Sequence, residues 1–326
     1  MKMLPRRTFL AGSAGMLAAS IARAQDAEDY PSRPVAFVVP FAPGGGTDIL
    51  ARLFADKLTE RLGQHFGVEN RPGTGTVIAT NFVAKSPPDG YTIMMSVSSL
   101  AIDATLYKKL PYDPDKDLAL VAEIASVAFV LVVNPALPVN SVEDLIKLSK
   151  QRPLSFGSGG VGAFHHLAAQ VFAHMTGIKV THVPYRGTLP ALNDLTSGYI
   201  QFMFTDLGPA LSMINAGKLR PLAVTSKTRF AMLPKVPPLA EAGVPGYDLA
   251  AWQGVIAPAK TPPSVVAKLN SQLNAIVKLP DVRARLNDLG MNPVGKGSPE
   301  ELAQFLHSEI GRWAKIVESA GLAKTE

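Results

Sequence analysis

Cysteine is absent from the 326-residue sequence. That excludes thiol nucleophiles, thiolate metal sites and disulfides, so an exported chain would have to rely on its core alone. Other absences are of motifs. The glycine run Gly44-Gly45-Gly46 lacks the Lys-Ser/Thr pair of a P-loop, and Ile49 stands where a dinucleotide fingerprint needs its third glycine. No cofactor is therefore expected. Ser158 is not in a Gly-x-Ser-x-Gly elbow, because Phe156 stands two residues before it. His165 and His166 invite a metal, but His174 lies on another helical face and no carboxylate sits at ligand spacing, so none is expected. The acidic run Tyr112–Asp117 contains Pro114 and Lys116 and reads as a solvated turn rather than a calcium loop.

The first 24 residues lack any acid but hold Lys2, Arg6, Arg7 and Arg23. Arg6-Arg7, the apolar stretch from Phe9 to Ile21 and the small-x-small triplet Ala22-Arg23-Ala24 read as an export signal cleaved near Ala24. The stretch is too short to span a bilayer comfortably. Without those four cations the formal charge of +6 falls to +2, and a nucleic-acid surface loses its main support. Apolar residues make up 47% and charged residues 18%, which suits a compact chain of two ordinary lobes.

From Val35 onward, strand-like and helical stretches alternate. Strands are expected at 35–40, 91–97, 128–133, 154–156, 179–183, 200–204 and 222–225. Helices are expected at 48–62 with Gly63 as a stop, at 141–150 with a Ser141 cap, and at 163–175 closed by Gly177. Four more are expected at 190–197, 263–278, 281–289 and 299–320. The alternation argues for an α/β fold of mostly parallel sheets flanked by helices. The apolar strands near 127–133 and 222–225 bracket a self-contained block. Residues 25–127 with 226–326 are expected to form lobe 1 and residues 128–225 lobe 2, with a ligand cleft between them.

Two stretches carry the functional reading. In "VVPFAPGGGTDILAR" a strand runs through a glycine turn into a helix, with Thr47 or Asp48 as cap. "LSFGSGGVGAFHHLAAQVF" repeats the arrangement with Ser158 in its turn. Glycines let backbone N–H groups approach a ligand, and a helix N-terminus favours negative charge, so each turn suits a carboxylate as well as a phosphate. The expectation is a pincer, in which Gly45 and Gly160 bring the turns of opposite lobes onto one ligand. Trp252, beside Gln253 and Gly254, reads as a core residue rather than one stacked on a ligand.

These stretches, with "NRPGTGT", "PPDGYT", "LYKKLPYDPDKDL", "HVPYRGTLPALNDL", "AGKLRPLAVTSKTRF" and "WQGVIAPAKTPP", run in order over nearly the whole mature chain. Together they resemble the Bug-type extracytoplasmic receptors of the tripartite tricarboxylate transporter family. The resemblance implies a periplasmic two-lobed receptor that hands a small carboxylate to a membrane permease: a di- or tricarboxylic acid, an acidic amino acid or an aromatic acid. By position it assigns ligand-binding roles to Gly45, Gly46, Thr47 and Asp48 in the first turn. Ser158, Gly159, Gly160 and His166 fall in the second, Tyr185, Arg186 and Gly187 in a "YRG" turn, Asp206 at a strand end, and Ser98 in a third loop. Asp48 reads mainly as a helix cap, because an acid is awkward in an anion site. Asp206 is suited to a polar or cationic end of the ligand. The chain departs from the family pattern at Thr76 (usually Gly), Asp103 (usually Asn), Ala163 (often Ser) and Gln170 (often Glu).

The expected activity is therefore binding by a monomeric receptor, not catalysis. The alternatives are an exported hydrolase using Ser158 and His166, for which no acid is placed to orient the histidine, and a ligand sensor feeding a membrane signalling protein.

Overall fold

Val35–Val39 (β1) is an apolar pentapeptide with four of its five residues buried, and its end feeds the first glycine turn. Helix α1 (Gly46–Leu62) follows and closes at Gly63, whose left-handed backbone donates to the Thr59 carbonyl. The chain then forms β2 (Phe66–Asn70), α2 (Val77–Ala84), β3 (Thr92–Val97) and α3 (Ser99–Leu106). The long strand β4 (Leu118–Val127) runs almost directly into β5 (Phe129–Val133). Next come α4 (Val142–Gln151), β6 (Leu154–Ser158), α5 (Phe164–Thr176), β7 (Val180–Pro184), α6 (Thr188–Thr196), β8 (Phe202–Asp206), α7 (Leu207–Asn215) and β9 (Arg220–Val224). The chain finishes with β10 (Ala251–Pro258), α8 (Pro263–Val277), α9 (Pro280–Asp288), β11 (Met291–Lys296) and α10 (Pro299–Ser319). This computed structural model describes residues 30–73, 75–230 and 232–325. The expected export signal lies outside the described residues.

The strands form two sheets, one in the order β11-β4-β10-β3-β1-β2 and the other β7-β6-β8-β5-β9. Each has a parallel nucleus: β1 pairs with β2 and β3, and β6 with β7 and β8. The remaining pairs are antiparallel, so the sheets are mixed rather than mostly parallel as expected. The cause is the double crossing between lobes. The outgoing strand β4–β5 and the returning β10 lie side by side in opposite directions, Ala251 opposite Val127. A strand that returns beside the outgoing one must pair antiparallel to it.

The crossing is tied by backbone bonds. Thr225 N–H donates to the Phe129 carbonyl (2.8 Å), the Thr225 hydroxyl accepts from Phe129 N–H (2.8 Å), and Leu249 N–H donates to the Thr225 carbonyl (3.0 Å). Residues 226–250 pack on the second sheet. Phe230, Leu233 and Val236 share a core with Val130, Val132 and Val224, and the Tyr247 hydroxyl donates to the Ala168 carbonyl (2.8 Å). Against the first sheet, α10 starts with a full capping box between Ser298 and Glu301 and seats Trp313, edge-on to Phe164 across the lobes at 5.9 Å. The carboxyl ends of β1, β3, β6 and β8 are thereby turned toward one interlobe space, where open α/β sheets place their ligands.

Candidate functional site: a closed interlobe cavity

A narrow, partly open cavity of about 30 Å³ lies where the lobes meet. Its floor is the crossing itself: Val127 and Phe129 on the way out, Ala251, Trp252 and Gln253 on the way back. The first lobe adds Phe41, Val97 and the turn Gly45-Gly46-Thr47; the second adds Phe164, His165, Thr188 and Asp206. Among the described lining residues there is no lysine or arginine.

Cationic character comes instead from backbone. Helices α1, α5, α6 and α7 all begin here, and none has a side-chain cap on its N-terminus. Ser141 of α4 and Ser298 of α10 do cap theirs, whereas α2, α3, α8 and α9 are uncapped as well, so it is the convergence of four helix starts on one cavity that matters. Uncapped first turns leave N–H groups and the positive end of the helix dipole available to an anion.

One such N–H already holds a carboxylate. Gly46 N–H, at the start of α1, donates to Asp206 Oδ2 of the opposite lobe at 2.8 Å. Asp206 Oδ1 accepts from the Thr188 hydroxyl (3.0 Å), and His165 Nε2 lies 3.3 Å from it. Burial pushes the Asp206 carboxyl up, but His165, Gly46 N–H and Thr188 outweigh it and hold the group below the usual carboxylate range. The interlobe bond is thus that of an ionised carboxylate at a helix N-terminus. Among the described residues, three that line the cavity keep a buried polar atom with no protein partner: His165 Nδ1, Trp252 Nε1 and Gln253 Oε1. Buried polar groups are nearly always paired, so unpaired ones around a cavity point to a ligand.

The sequence-assigned residues divide into three groups. Gly45, Gly46, Thr47 and Asp206 line the cavity. A second group sits behind it. Asp48 does not cap α1, whose N-cap is Gly45. It braces the turn from within the helix, accepting from Gly44 N–H (2.9 Å), Arg52 (3.0 and 3.1 Å) and Asn70 (2.9 Å). Burial raises its carboxyl, and those donors together pull it below the usual range. Ser98 accepts from Trp252 N–H (2.7 Å) and fastens the returning strand. Ser158 pairs with His182 Nε2 (2.6 Å), not with His166. His166 instead accepts from Gly162 N–H (3.3 Å) and stacks on the His182 ring at 4.2 Å. Ser158 has no exposed surface, so its hydroxyl is closed to a substrate.

The third group sits at a wider cleft of about 510 Å³, lined by Gly73, Gly75, Tyr107, Gly160, Tyr185 and Arg186 among others. Here Gly160, with φ of +131°, approaches Gly75 of the other lobe so closely that a Cβ would lie 2.9 Å from Gly75 N. Gly159 lies behind the cavity, where a Cβ would come 3.3 Å from the His165 ring. Ala42 N–H donates to the Arg186 carbonyl (2.8 Å), and Gly187 admits that approach because a Cβ would lie 3.1 Å from Ala42 N. The Tyr185 hydroxyl donates to Asp194 (2.6 Å) within its own lobe. The two glycine turns therefore do not face each other. The first meets Thr188 and Asp206, and the second meets Gly75.

Sequence reasoning missed Phe41, Phe129, Phe164, His165, Thr188 and Gln253. Thr188 follows the YRG turn and His165 adjoins the assigned His166, so helix-start position was an available signal for both.

The chain matches the model of the tripartite tricarboxylate transporter family receptor over residues 50–322. The chain belongs to the tripartite tricarboxylate transporter receptor family. It is 38% identical to BugT of Bordetella pertussis over 307 residues, 93% of this chain and 94% of that one. Rpa4515 of Rhodopseudomonas palustris, solved with adipate, superposes with a TM-score of 0.86 at 41% identity, covering 90% of this receptor and 99% of that chain. MatC of the same organism, with bound malate, gives 0.84 at 32% identity, covering 88% and 100%. The family is one of periplasmic solute receptors rather than enzymes, and the two-lobed fold of this receptor is the family's fold.

Proposed function

We propose that this receptor binds a small carboxylate in the interlobe cavity and delivers it to the membrane subunits of a tripartite permease. It works as a monomer in the periplasm, after removal of a signal ending near Ala24. The observation that carries the reading is the bond from Gly46 N–H to the Asp206 carboxylate: the first glycine turn is built to accept an anion from across the cleft, and Asp206 holds that place. The adipate and malate in two relatives support it. The packing of residues 226–250 on the second sheet supports lobes of 30–127 with 251–325 and of 128–250.

A cavity of about 30 Å³ admits little more than water, so a ligand of several carbons must part the lobes and re-close them around itself. Binding to the native state alone stabilises it by mass action, about 2.7 kcal/mol at a hundredfold excess over Kd. A matched carboxylate should accordingly raise the melting temperature of the purified mature chain. Mass spectrometry of the bound compound should return it unchanged. Release of a chemically altered product would overturn the reading.

A further inference from the structure

Two buried carboxylates face the opposite lobe, and they are provided for differently. Asp206 of the second lobe meets three partners: His165, Gly46 N–H and the Thr188 hydroxyl. Asp103, on α3 of the first lobe, is wholly buried and has one donor, the Thr76 hydroxyl on Oδ2 (3.2 Å). We infer that closing the lobes captures one proton from solvent on Asp103, so that the receptor closes, and holds its ligand, more readily as pH falls. The inference rests on lobes that part and re-close for a ligand, whatever that ligand is.

The wall over Asp103 comes from the second glycine turn. Gly162, with φ of +80°, lies so close to Asp103 Oδ1 that it leaves no room for a Cβ. The Val161 carbonyl beside it accepts from the Tyr107 hydroxyl (3.3 Å) and presses on Gly75. Oδ1 itself has no partner. Two amides of the turn are already committed within the second lobe: Gly160 N–H donates to Ser158 Oγ (3.1 Å) and Gly162 N–H to His166 Nδ1 (3.3 Å). A buried carboxylate with a single neutral donor is far costlier than the neutral acid.

No neighbouring charge offsets that cost. Burial raises the carboxyl, and the Thr76 hydroxyl, at the start of α2, is all that opposes it. Tyr107 on α3 and Tyr112 beyond it bring phenols, and burial followed by the Asp103 charge pushes Tyr112 up. On α5, burial and then His182 hold His166 down to about 3, so its ring is neutral above that value. Helix α10 packs on α3 with Glu309 bound to Arg312 and Trp313, and beyond it Lys324 N–H donates to the Thr105 carbonyl.

When the lobes part, the turn leaves, water reaches Oδ1 and the carboxyl returns toward its ordinary 3.8. The closed state thus binds the proton more tightly than the open one. Closure is most favoured below the open-state value. It weakens as pH rises, by up to about tenfold per pH unit, until the closed-state value is passed.

The test needs no ligand. A Cβ on Gly45 would lie 3.6 Å from Thr188 Cβ, a disulfide span between the lobes, and the chain has no cysteine to compete. In the ligand-stripped mature receptor carrying Gly45→Cys and Thr188→Cys, the oxidised form is locked shut and the reduced form is free. Carbon-13 NMR of the aspartate carboxyls, with Asp103 assigned by Asp103→Asn, reads the proton directly. Asp103 should hold its proton about tenfold more tightly, or better, in the oxidised form. Equal titration in the two forms, or an ordinary carboxylate titration in the locked one, overturns the inference. If the pair does not cross-link, small-angle scattering of the native chain decides. Its radius of gyration should grow as pH rises through the Asp103 titration, and that of Asp103→Asn should not. A native radius constant with pH, or the same growth in both chains, overturns the inference. Either failure leaves the carboxylate receptor standing, and a failure of carboxylates to bind leaves the proton measurement unaffected.

Discussion

Asp103 is wholly buried in the first lobe, takes one hydrogen bond on Oδ2 from the Thr76 hydroxyl (3.2 Å), and has no partner for Oδ1. Asp103 and Thr76 touch each other through that bond. Burial pushes the carboxyl well above its ordinary 3.8, with Thr76 opposing. A folded pKa above the unfolded one gives stability that is full below the unfolded value and lost as pH rises through the folded value. Asp103→Asn should thus melt higher than the native chain near neutral pH, by an advantage that shrinks toward about pH 4. Calorimetric melting across pH checks this; an advantage independent of pH contradicts it. The stacked rings of His166 and His182 slope the other way. Burial, with His182 adding to it, pushes His166 down to about 3, and burial pushes His182 down to about 4. Their contribution is full above the ordinary 6.5 and is lost as pH falls through those lower values. Each tenfold loss of proton affinity is worth about 1.4 kcal/mol. Replacing His166 by Gln, which cannot titrate, should flatten the acid limb of the melting profile, and an acid limb as steep as the native one would contradict this.

At the scale of elements, the second glycine turn works by closeness. Gly160 combines a φ of +131° with a Cβ position 2.9 Å from Gly75 N, so Gly160→Ala both strains its backbone and pushes the lobes apart. Gly217, with φ of +68° and nothing within 4 Å of its Cβ position, isolates the backbone cost. Gly217→Ala should lose about 1–2 kcal/mol of stability and keep full ligand affinity. Gly160→Ala should lose at least tenfold in affinity as well, measured by calorimetry; equal affinities in the two variants would show the approach to Gly75 to be irrelevant. Elements of this kind divide what the sequence made legible from what it did not. Helices α1 and α5 were readable because Gly63 and Gly177 stop an apolar periodicity, and α4 because Ser141 caps it. Strand β2 (FGVEN) and strand β11 (MNPVGK) were not, since short, half-exposed strands with glycine or proline carry no alternation. Strand β10 (AWQGVIAP) is buried at every position, and its antiparallel place between β3 and β4 depends on residues more than a hundred positions away. The site followed the same division. The glycine turn announces itself locally and Asp206 came only through the family resemblance, whereas His165, Phe129 and Gln253 become neighbours only when the chain has crossed twice.

For the whole molecule, two sheets are joined by a paired crossing, one buried apolar cluster runs through both lobes with Phe164 edge-on to Trp313, and the cavity between the lobes holds only about 30 Å³. The Gly46–Asp206 bond, the Ala42–Arg186 backbone bond and the Gly75–Gly160 approach must yield together when a ligand enters. The wider cleft, lined in part by the exposed Arg186, is the other place where a carboxylate could rest. A crystal structure of the receptor with a small carboxylate that raises its melting temperature separates the two places. The expected result is a carboxylate oxygen within hydrogen-bond distance of Gly46 N, with Asp206 drawn away from that N–H. A carboxylate held at Arg186 with the Gly46–Asp206 bond intact would contradict it.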